Sequence, residues 1–422
     1  MKKTRQNYNQ NLTIIGAGTA GIMLAHKLKH TGLSITIIDP AEHHFYQPGF
    51  LFIPFGKYSL KNLRRPISEL LPKGVRHVKE SVESIDFDGD SLKTNAGKTI
   101  SYDTLVIATG THVDHSMTPG LTDSGWKKDI FDFYTPDGAM ALREKLDQFK
   151  KGKIVVQIMD MPIKCPVAPL EFAFLADDFF KNRGLRDNVQ IEYVTSLSGA
   201  FTKPVASEKL GHILADKNID VTADFYVEKV DSDNNKLICY DGREVTYDLL
   251  VTVPVNVGAD FLKDLDITDE LGFVEVNHHS LQSTEHSNVF AVGDAANLPT
   301  SKAGSTAHFE IDTLCENILR QLDGEPLEET FDGHANCFVE LGQKKALLLD
   351  FNYETQPLEG TFPFAGFGPL KLLKPTRLNH LGKLAFRYIY WYLLLPGRNI
   401  PFIHAKMSLK GKKQPQNERV NE

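Results

Sequence analysis

Residues 11–21 read NLTIIGAGTAG, and this stretch decides the fold. Its first five residues are strand-like, the next six carry Gly16, Gly18 and Gly21, and a helix-like stretch follows at residues 20–30. Glycines spaced as GxGxxG between a strand and a helix permit a tight turn and let backbone N–H groups approach a pyrophosphate, while the helix N-terminus supplies partial positive charge. The pattern therefore predicts a dinucleotide-binding βαβ unit.

A carboxylate follows at the distance that such a unit uses. The second apolar run, residues 34–39, ends at Asp39, which lies 23 residues after Gly16. A carboxylate at the end of this strand is placed to grip a ribose hydroxyl. The combination predicts a bound nucleotide, and the alternative is a glycine-rich turn without a ligand.

Two later segments narrow the predicted cofactor to FAD. The segment YDTLVIATG is strand-like and ends in a turn of small residues at Thr109 and Gly110. Residues 288–296, NVFAVGDAA, contain Gly293 and Asp294 at the end of another strand, with a helix expected to follow. There the Asp294 carboxylate can bond the ribityl chain, and the helix N-terminus faces the anion-prone pyrimidine edge of the flavin.

The three segments together resemble the family of flavoproteins with two dinucleotide-binding domains, which is related to the disulfide reductases. The resemblance implies an α/β fold with two Rossmann-like domains. The FAD-binding domain is discontinuous, formed by residues 11–111 and 247–330, and residues 112–246 form the second domain. Residues 331–422 are then a C-terminal region with an amphipathic, membrane-associating character.

The second domain lacks the usual phosphate cradle and carries a cysteine nearby. Residues 153–159 read as a buried strand, but the following DMPIKCP has no glycine, which argues against tight nicotinamide binding. Cys165 lies beside Lys164 and before a predicted helix at residues 170–181, so we expect its thiol to ionise easily. Glu171 is a candidate proton donor or acceptor for that thiol.

The remaining cysteines differ in their surroundings. Four cysteines are too few for a disulfide scaffold. Cys239 lies in a strand-like segment and Cys315 on the apolar face of a helical pattern, so we expect structural roles for both. Cys337 lies in the short strand-like segment HANCFVE, where a structural and a redox role are both open.

The charge is distributed unevenly along the chain. Residues 361–422 carry 11 Lys and Arg against 2 Glu, a net of +9, so the remainder carries −16 of the total charge of −7. A basic, aromatic tail on an acidic body favours an anionic membrane surface over nucleic acid. No apolar stretch precedes the first strand, so no export signal is expected, and no run of about 20 apolar residues predicts a spanning helix.

The tail contains a candidate interfacial helix at residues 377–395, RLNHLGKLAFRYIYWYLLL. Its apolar run is too short to cross a bilayer of about 30 Å at about 1.5 Å per residue. We expect Tyr390 and Trp391 at the level of the lipid headgroups, with basic side chains such as Lys383 near anionic lipid. The alternative is a buried helix that forms a homo-oligomer.

The FAD segments, the CPxAPxE-type segment around Cys165, Cys337 and the aromatic tail together resemble sulfide:quinone oxidoreductase. The resemblance covers nearly the whole chain. It implies that Cys165 and Cys337 are redox cysteines on one face of the flavin, bridged by sulfur. Many members carry a third cysteine that residues 111–152 of this chain lack, which leaves the route of sulfur release open.

The same resemblance assigns further site residues. Lys302 lies near the flavin and the quinone, where it can stabilise a reduced anion, or it is a solvated loop lysine. Phe338, Phe364 and Phe367 are candidate contacts for the quinone ring, or parts of the core. We predict no metal site.

The expected function is the oxidation of sulfide to sulfane sulfur or polysulfide, with electrons passing through FAD to a membrane quinone. The protein is then a peripheral membrane enzyme on the cytoplasmic face. Three alternatives remain: a non-pumping NADH:quinone oxidoreductase, the flavoprotein subunit of a flavocytochrome c sulfide dehydrogenase, and a non-catalytic persulfide sensor. The missing second glycine cluster argues against the NADH:quinone oxidoreductase. The aromatic tail and the missing export signal argue against the flavocytochrome c subunit.

Overall fold

The structure is a computed structural model that describes residues 8–413 of the 422-residue chain. Residues 414–422 of the predicted C-terminal region therefore lie outside the described residues. Within the described residues the α-helices are α1 (Thr19–Leu28), α2 (Ile67–Leu70), α3 (Pro136–Gln148), α4 (Ala168–Asn182), α5 (Pro204–Asp216), α6 (Gly304–Leu322) and α7 (Arg377–Ile389). The strands are β1 (Asn11–Ile15), β2 (Ser34–Ile38), β3 (His43–Phe45), β4 (Arg64–Pro66), β5 (Arg76–Val78), β6 (Val82–Asp86), β7 (Ser91–Thr94), β8 (Thr99–Ser101), β9 (Thr104–Ile107), β10 (His112–Asp114), β11 (Ile130–Phe131), β12 (Gly152–Ile158), β13 (Val189–Thr195), β14 (Ile219–Thr222), β15 (Val227–Asp231), β16 (Lys236–Cys239), β17 (Glu244–Thr246), β18 (Leu249–Val253), β19 (Val255–Val257), β20 (Val289–Ala291), β21 (Ala335–Glu340), β22 (Ala346–Phe351), β23 (Gly360–Phe362) and β24 (Leu370–Leu372).

The first sheet is parallel, with strand order β20–β9–β1–β2–β5. Its central strands are buried on both faces, which explains why β1 and β2 read as nearly continuous apolar runs. Leu12 of β1 pairs with Ile35 on one side and Thr104 on the other. The βαβ unit predicted from the glycine motif is confirmed as β1, α1 and β2.

The second sheet is also parallel, with strand order β11–β18–β12–β13–β14. The predicted strand at residues 153–159 is β12, and the predicted helix at residues 170–181 is α4. The boundary predicted at residue 247 places β18 in the FAD domain, but β18 lies inside this sheet between β11 and β12. That assignment of β18 is wrong, because its five buried residues complete the second sheet before the chain returns.

The helix that follows Asp294 begins later than expected. A single 3₁₀ turn, Gly293–Ala295, comes directly after β20, and α6 starts only at Gly304. The helix N-terminus that approaches the predicted flavin position is therefore that of α6, separated from Asp294 by a loop.

The C-terminal region adds a four-stranded sheet, β21–β22–β24–β23, on which α7 packs. Helix α7 continues into a π-helical turn, Tyr390–Leu394. Within residues 8–413 no helix combines the length and apolar character needed to cross a membrane.

The end of the C-terminal helix turns inward. Tyr390 and Trp391 are 2% and 4% exposed, and the Trp391 ring packs against His44 and the guanidinium of Arg65. The expectation that these two rings lie at headgroup level is wrong, because the π-helical turn packs on the first domain. The exposed large apolar side chains of this segment are Leu378, Leu381, Tyr388 and Tyr392.

Candidate active site

A cavity of about 250 Å³ lies where the two parallel sheets and the C-terminal region meet. It collects segments that are far apart in the sequence. Of the predicted site residues, those that line it are Gly18, Thr109, Gly110, Cys165, Glu171, Gly293, Asp294, Lys302, Cys337 and Phe338.

The glycine loop has the backbone geometry that its sequence predicts. Gly16 has φ +108°, and a Cβ there would lie 2.4 Å from the carbonyl oxygen of Ala108. A Cβ on Gly21 would lie 2.0 Å from the carbonyl oxygen of Gly16, so α1 packs directly on the turn. At Gly18 the nearest atom is 3.8 Å away, which leaves the room that a ligand needs to approach the backbone.

Asp39 supports this loop from the end of β2. Its carboxylate accepts hydrogen bonds from the N–H of Ala17 at 2.7 Å and of Ala41 at 2.8 Å. Asp39 is not among the residues that line the cavity. The structure therefore shows it holding the glycine loop, and contact with a ribose stays a prediction.

Several polar groups of the cavity are suited to hold FAD. The side-chain oxygen of Thr109 and the amide nitrogen of Asn336 are buried and have no hydrogen-bond partner among the described residues. Gly304 and Ser305, at the N-terminus of α6, also line the cavity. Unsatisfied buried polar atoms are costly, so these groups and the open glycine loop fit a polar cofactor.

Lys302 is buried rather than solvated. Its Nζ donates hydrogen bonds to the carbonyl oxygens of Asp294 at 2.9 Å and Ala296 at 3.0 Å, and it lies 3.8 Å from the centre of the Phe273 ring. Burial lowers the pKa of Lys302 to about 8, although Asp294 opposes that shift. Burial also raises the pKa of Asp294, against the pull of Lys302 and Lys164. The lysine thus fixes the loop that carries Asp294.

The segment that replaces the second glycine cradle folds against the FAD-binding loop. Cys165 has φ +51°, donates its N–H to the carbonyl oxygen of Lys302 at 2.7 Å, and accepts a hydrogen bond from Tyr134 at 3.2 Å. Its side chain lines the cavity. The backbone hydrogen bond between Cys165 and Lys302 explains how a residue of the second domain lies at the cavity of the first domain.

The thiol of Cys165 is harder to ionise than expected. Burial raises its pKa to about 12, and the neighbouring Glu171 adds to the rise, while Lys383 opposes it. The expectation of easy ionisation, based on Lys164 and the following helix, is therefore wrong for this state. Desolvation of a thiolate outweighs a helix N-terminus and one partner cation.

Cys337 projects from β21 into the same cavity. Burial raises its pKa, and the neighbouring Cys165 raises it further, so the two sulfur atoms are within electrostatic reach of each other. Both cysteines are free thiols in this structure. The fold thus brings together two cysteines that lie 172 positions apart.

A buried ion pair that no local sequence pattern indicates lines the same cavity as the two thiols. The carboxylate of Glu171 is 2.7 Å from Nζ of Lys383 and accepts the N–H of Glu340 at 2.7 Å. Lys383 also donates to the carbonyl oxygen of Phe338 at 3.0 Å. Burial raises the pKa of Glu171, and Lys383 opposes that rise. Glu340 is paired in turn with His380 at 2.8 Å.

The sequence analysis predicts that Lys383 faces lipid. That prediction is wrong, because Lys383 is buried in an ion pair with Glu171. Burial would lower its pKa, but Glu171 and Cys165 raise it above the usual value. His380 and Lys383 are three positions apart on α7, so they share the helix face that points inward. That spacing was the one available signal, although the sequence alone did not show which face is buried.

The predicted aromatic contacts divide into two groups. Phe338 lines the cavity, and so does Phe386 of α7, which the sequence reading did not select. Phe364 and Phe367 do not line it, and their rings stack on each other at 5.4 Å, with Phe367 79% exposed. Contact of these two rings with a quinone stays a prediction that this cavity does not support.

The two parallel sheets, the glycine loop and the cavity define a flavoprotein with two Rossmann-like domains. The chain belongs to the pyridine nucleotide-disulphide oxidoreductase family, whose model matches residues 10–310. It is an FAD-dependent oxidoreductase.

More particular likenesses extend over the C-terminal region. The chain is 27% identical to the mitochondrial sulfide:quinone oxidoreductase of Mus musculus over 93% of this chain and 88% of that protein. It is 28% identical to the mitochondrial sulfide:quinone oxidoreductase of Schizosaccharomyces pombe, over 91% and 89%. The solved sulfide:quinone oxidoreductase of Aquifex aeolicus shares the fold, with a TM-score of 0.79 and 22% identity over 92% of each chain.

Proposed function

We propose that this protein oxidises sulfide and reduces a membrane quinone. The observation that carries the proposal is the meeting of Cys165 and Cys337 in one cavity with the loops suited to hold FAD. The names of the relatives support the same reaction. FAD, when bound, supplies a two-electron acceptor between sulfide and quinone.

The thiol chemistry begins from an oxidised form in which Cys165 and Cys337 are joined by a disulfide bond. HS⁻ attacks one sulfur of that bond, forming a persulfide on one cysteine and releasing the other as a thiolate. The ammonium of Lys383 stabilises the thiolate, since it lowers the pKa of both thiols against the effect of burial. A second HS⁻ or another thiol takes the outer sulfur and leaves as a hydrodisulfide or persulfide, which makes the second cysteine a thiolate. The disulfide would then re-form as the two thiolates lose two electrons, for which bound FAD would be the acceptor.

The buried carboxylate of Glu171 manages protons in this site. It is ion-paired with Lys383 and near the Cys165 thiol, whose pKa it raises. A carboxylate in this position accepts a proton from an incoming sulfur group and returns it later. Reduction of a quinone takes up two electrons and two protons, so both half-reactions need such a group.

The quinone ring is proposed to contact Phe338 and Phe386, which give the cavity an aromatic wall near Lys383. The quinone tail needs a route to lipid. The exposed apolar residues of α7 and its π-helical turn support contact with a membrane surface, and the basic charge of residues 361–422 supports an anionic one. We place the protein on the cytoplasmic face as a peripheral enzyme.

The test is an anaerobic half-reaction. Adding sulfide to the FAD-bound protein should bleach the visible absorbance band of the flavin, and a soluble quinone should restore it. An equal amount of NADH should leave the flavin oxidised. Bleaching by NADH with no response to sulfide would favour the NADH:quinone oxidoreductase, which the missing second glycine cluster disfavours.

Steady-state turnover separates the remaining alternatives. A persulfide sensor would react with sulfide once but would not turn over with quinone. A flavocytochrome c-type subunit would pass electrons to a haem protein such as cytochrome c and not to a soluble quinone. Multiple turnovers with quinone contradict both.

A further inference from the structure

The C-terminal region reaches the phosphate-binding loop of the first domain through one hydroxyl group. Tyr390, in the π-helical turn after α7, lies 2.7 Å from the hydroxyl of Thr19 and 2.5 Å from Nε2 of His44. Thr19 is the first residue of α1, at the glycine loop. Tyr390 is 2% exposed and lines the same cavity as Gly18 and Thr19.

The hydrogen-bond directions in this cluster follow from the histidine. Nδ1 of His44 lies 3.1 Å from the carbonyl oxygen of Ala17, and a carbonyl only accepts, so Nδ1 carries the proton. Burial lowers the pKa of His44 to about 4, so the ring is neutral at ordinary pH and its Nε2 accepts. Tyr390 therefore donates to His44 and accepts from Thr19.

The result is a chain of hydrogen bonds that fixes both sides of the glycine loop. It holds the carbonyl of Ala17 on one side of Gly18 and the hydroxyl of Thr19 on the other. The N–H of Ala17 is held separately by Asp39. A loop already held in one conformation loses less entropy when it binds a ligand, so its affinity is higher.

We propose that Tyr390 is a positioning residue of the FAD site, which ties retention of the cofactor to the docked C-terminal helix. The FAD site is then not complete within the first domain alone. Residues that belong to the region facing the proposed membrane surface hold its phosphate-binding loop. This inference requires FAD binding but does not depend on sulfide or quinone as substrates.

The test compares two tyrosines that lie two positions apart. Tyr390→Phe removes only the buried hydroxyl, whereas Tyr392→Phe removes an exposed hydroxyl that accepts from Arg65 at 3.1 Å. FAD is removed from each protein, and its Kd on return is measured by the quenching of flavin fluorescence. Tyr390→Phe removes the hydrogen bonds to both His44 and Thr19. One hydrogen bond is worth about three- to tenfold in affinity, so we expect this variant to weaken FAD binding about threefold or more, with no change for Tyr392→Phe.

The melting temperature of the FAD-free proteins separates loss of positioning from loss of folding. We expect FAD to raise the melting temperature of Tyr390→Phe by less than it raises that of wild type, when each rise is measured from the same protein without FAD. An unchanged Kd and an unchanged rise on adding FAD would overturn the proposal. So would an equal loss in Tyr392→Phe.

A double variant tests whether the cluster acts as one unit. If Tyr390 works through His44, then Tyr390→Phe combined with His44→Gln weakens FAD binding by less than the product of the single effects. Independent effects that multiply would contradict the hydrogen-bond chain, even if each variant binds FAD more weakly.

Discussion

The surroundings of Cys165 disfavour ionisation of its thiol, although the proposed reaction needs the thiolate. Burial raises its pKa to about 12, yet Lys383, the ion-pair partner of Glu171, acts in the opposite direction. A reduced resting site therefore holds neutral thiols. A thiolate released next to Lys383 is stabilised by a cation that is already in place, without reorganisation of solvent.

At the residue scale, the proposed role of the two thiols gives a direct prediction. Replacing Cys165 or Cys337 by Ser should slow flavin reduction by sulfide by at least about 100-fold, the scale of losing a reacting group. Cys315→Ser is the matched control, since Cys315 lies on α6 and does not line the cavity. Stopped-flow absorbance of the flavin measures the rate. Full activity in Cys165→Ser would exclude this mechanism.

A second prediction at this scale concerns acid stability. The pKa of His44 is about 4 in the folded protein and about 6.5 when unfolded, so between these values the unfolded chain binds the extra proton. The free energy of unfolding should fall as the pH drops from 6.5 to 4, by up to about 3 kcal/mol from His44.

The control for this pH effect is His44→Gln, followed by denaturant unfolding across the same range. The variant should show a shallower decline with falling pH. Part of the slope should remain, because burial also lowers the pKa of His308 to about 4. An identical slope in wild type and variant would show that His44 does not carry the effect.

At the scale of the element, α7 has two functional faces. His380 and Lys383 point inward to buried carboxylates, and Phe386 lines the cavity. Leu378, Leu381 and Tyr388 point outward and are exposed. An amphipathic pattern alone predicts a helix that buries its apolar side, but here three large apolar side chains are exposed while His380 and Lys383 are held inside.

The inward face of α7 predicts a large loss of stability in one variant. Lys383→Met should leave the buried Glu171 carboxylate unpaired and reduce the free energy of unfolding by about 3–5 kcal/mol, as expected when one partner of a buried pair is removed. Denaturant unfolding followed by circular dichroism measures the change. Arg377→Met, at an exposed position on the same helix, should have little effect.

The double variant is the decisive control for this pair. Adding Glu171→Gln to Lys383→Met removes the unpaired charge and should restore much of the lost stability. If the two losses simply add, the pair is not the source of the effect.

At the scale of the whole molecule, exposed apolar surface is concentrated at one end of the chain. Within residues 8–413, seven of the thirteen exposed large apolar side chains belong to residues 361–413. The same region carries the basic charge, while the rest of the chain is acidic. This arrangement would orient the body away from an anionic surface and the cavity wall formed by α7 towards it.

This arrangement predicts binding to anionic vesicles in a flotation assay. Leu378→Glu combined with Leu381→Glu should weaken binding at least about tenfold, since each buried Leu contributes about 1.5–3 kcal/mol. Tyr240→Glu, at a 75% exposed site in the second domain, is the control. Turnover with a soluble quinone should be kept. A change of oligomeric state with no change in vesicle binding would favour the oligomer-forming helix instead.

Local patterns were sufficient where the chemistry depends on neighbouring residues. The glycine loop, β1, β2, α4 and the candidate cofactor residues around Thr109 and Gly293 were all read from short segments. They could be read because turn geometry and strand periodicity act over a few residues. The predictions that were wrong concern properties set by burial. These are the pKa of Cys165 and the directions in which Tyr390 and Lys383 point.

Short segments of the sequence are enough to identify the type of cofactor-binding domain and the candidate thiols, because a GxGxxG turn and a cysteine in place of a phosphate cradle are local features. The folded chain is needed to show that Cys165 and Cys337 line one cavity, that Lys383 pairs with Glu171, and that Tyr390 is hydrogen-bonded to Thr19 at the glycine loop. These contacts join residues from 172 to 371 positions apart. Side chains so far apart in the sequence meet only when the chain packs into its fold. Their burial away from water then determines which of them are ionised.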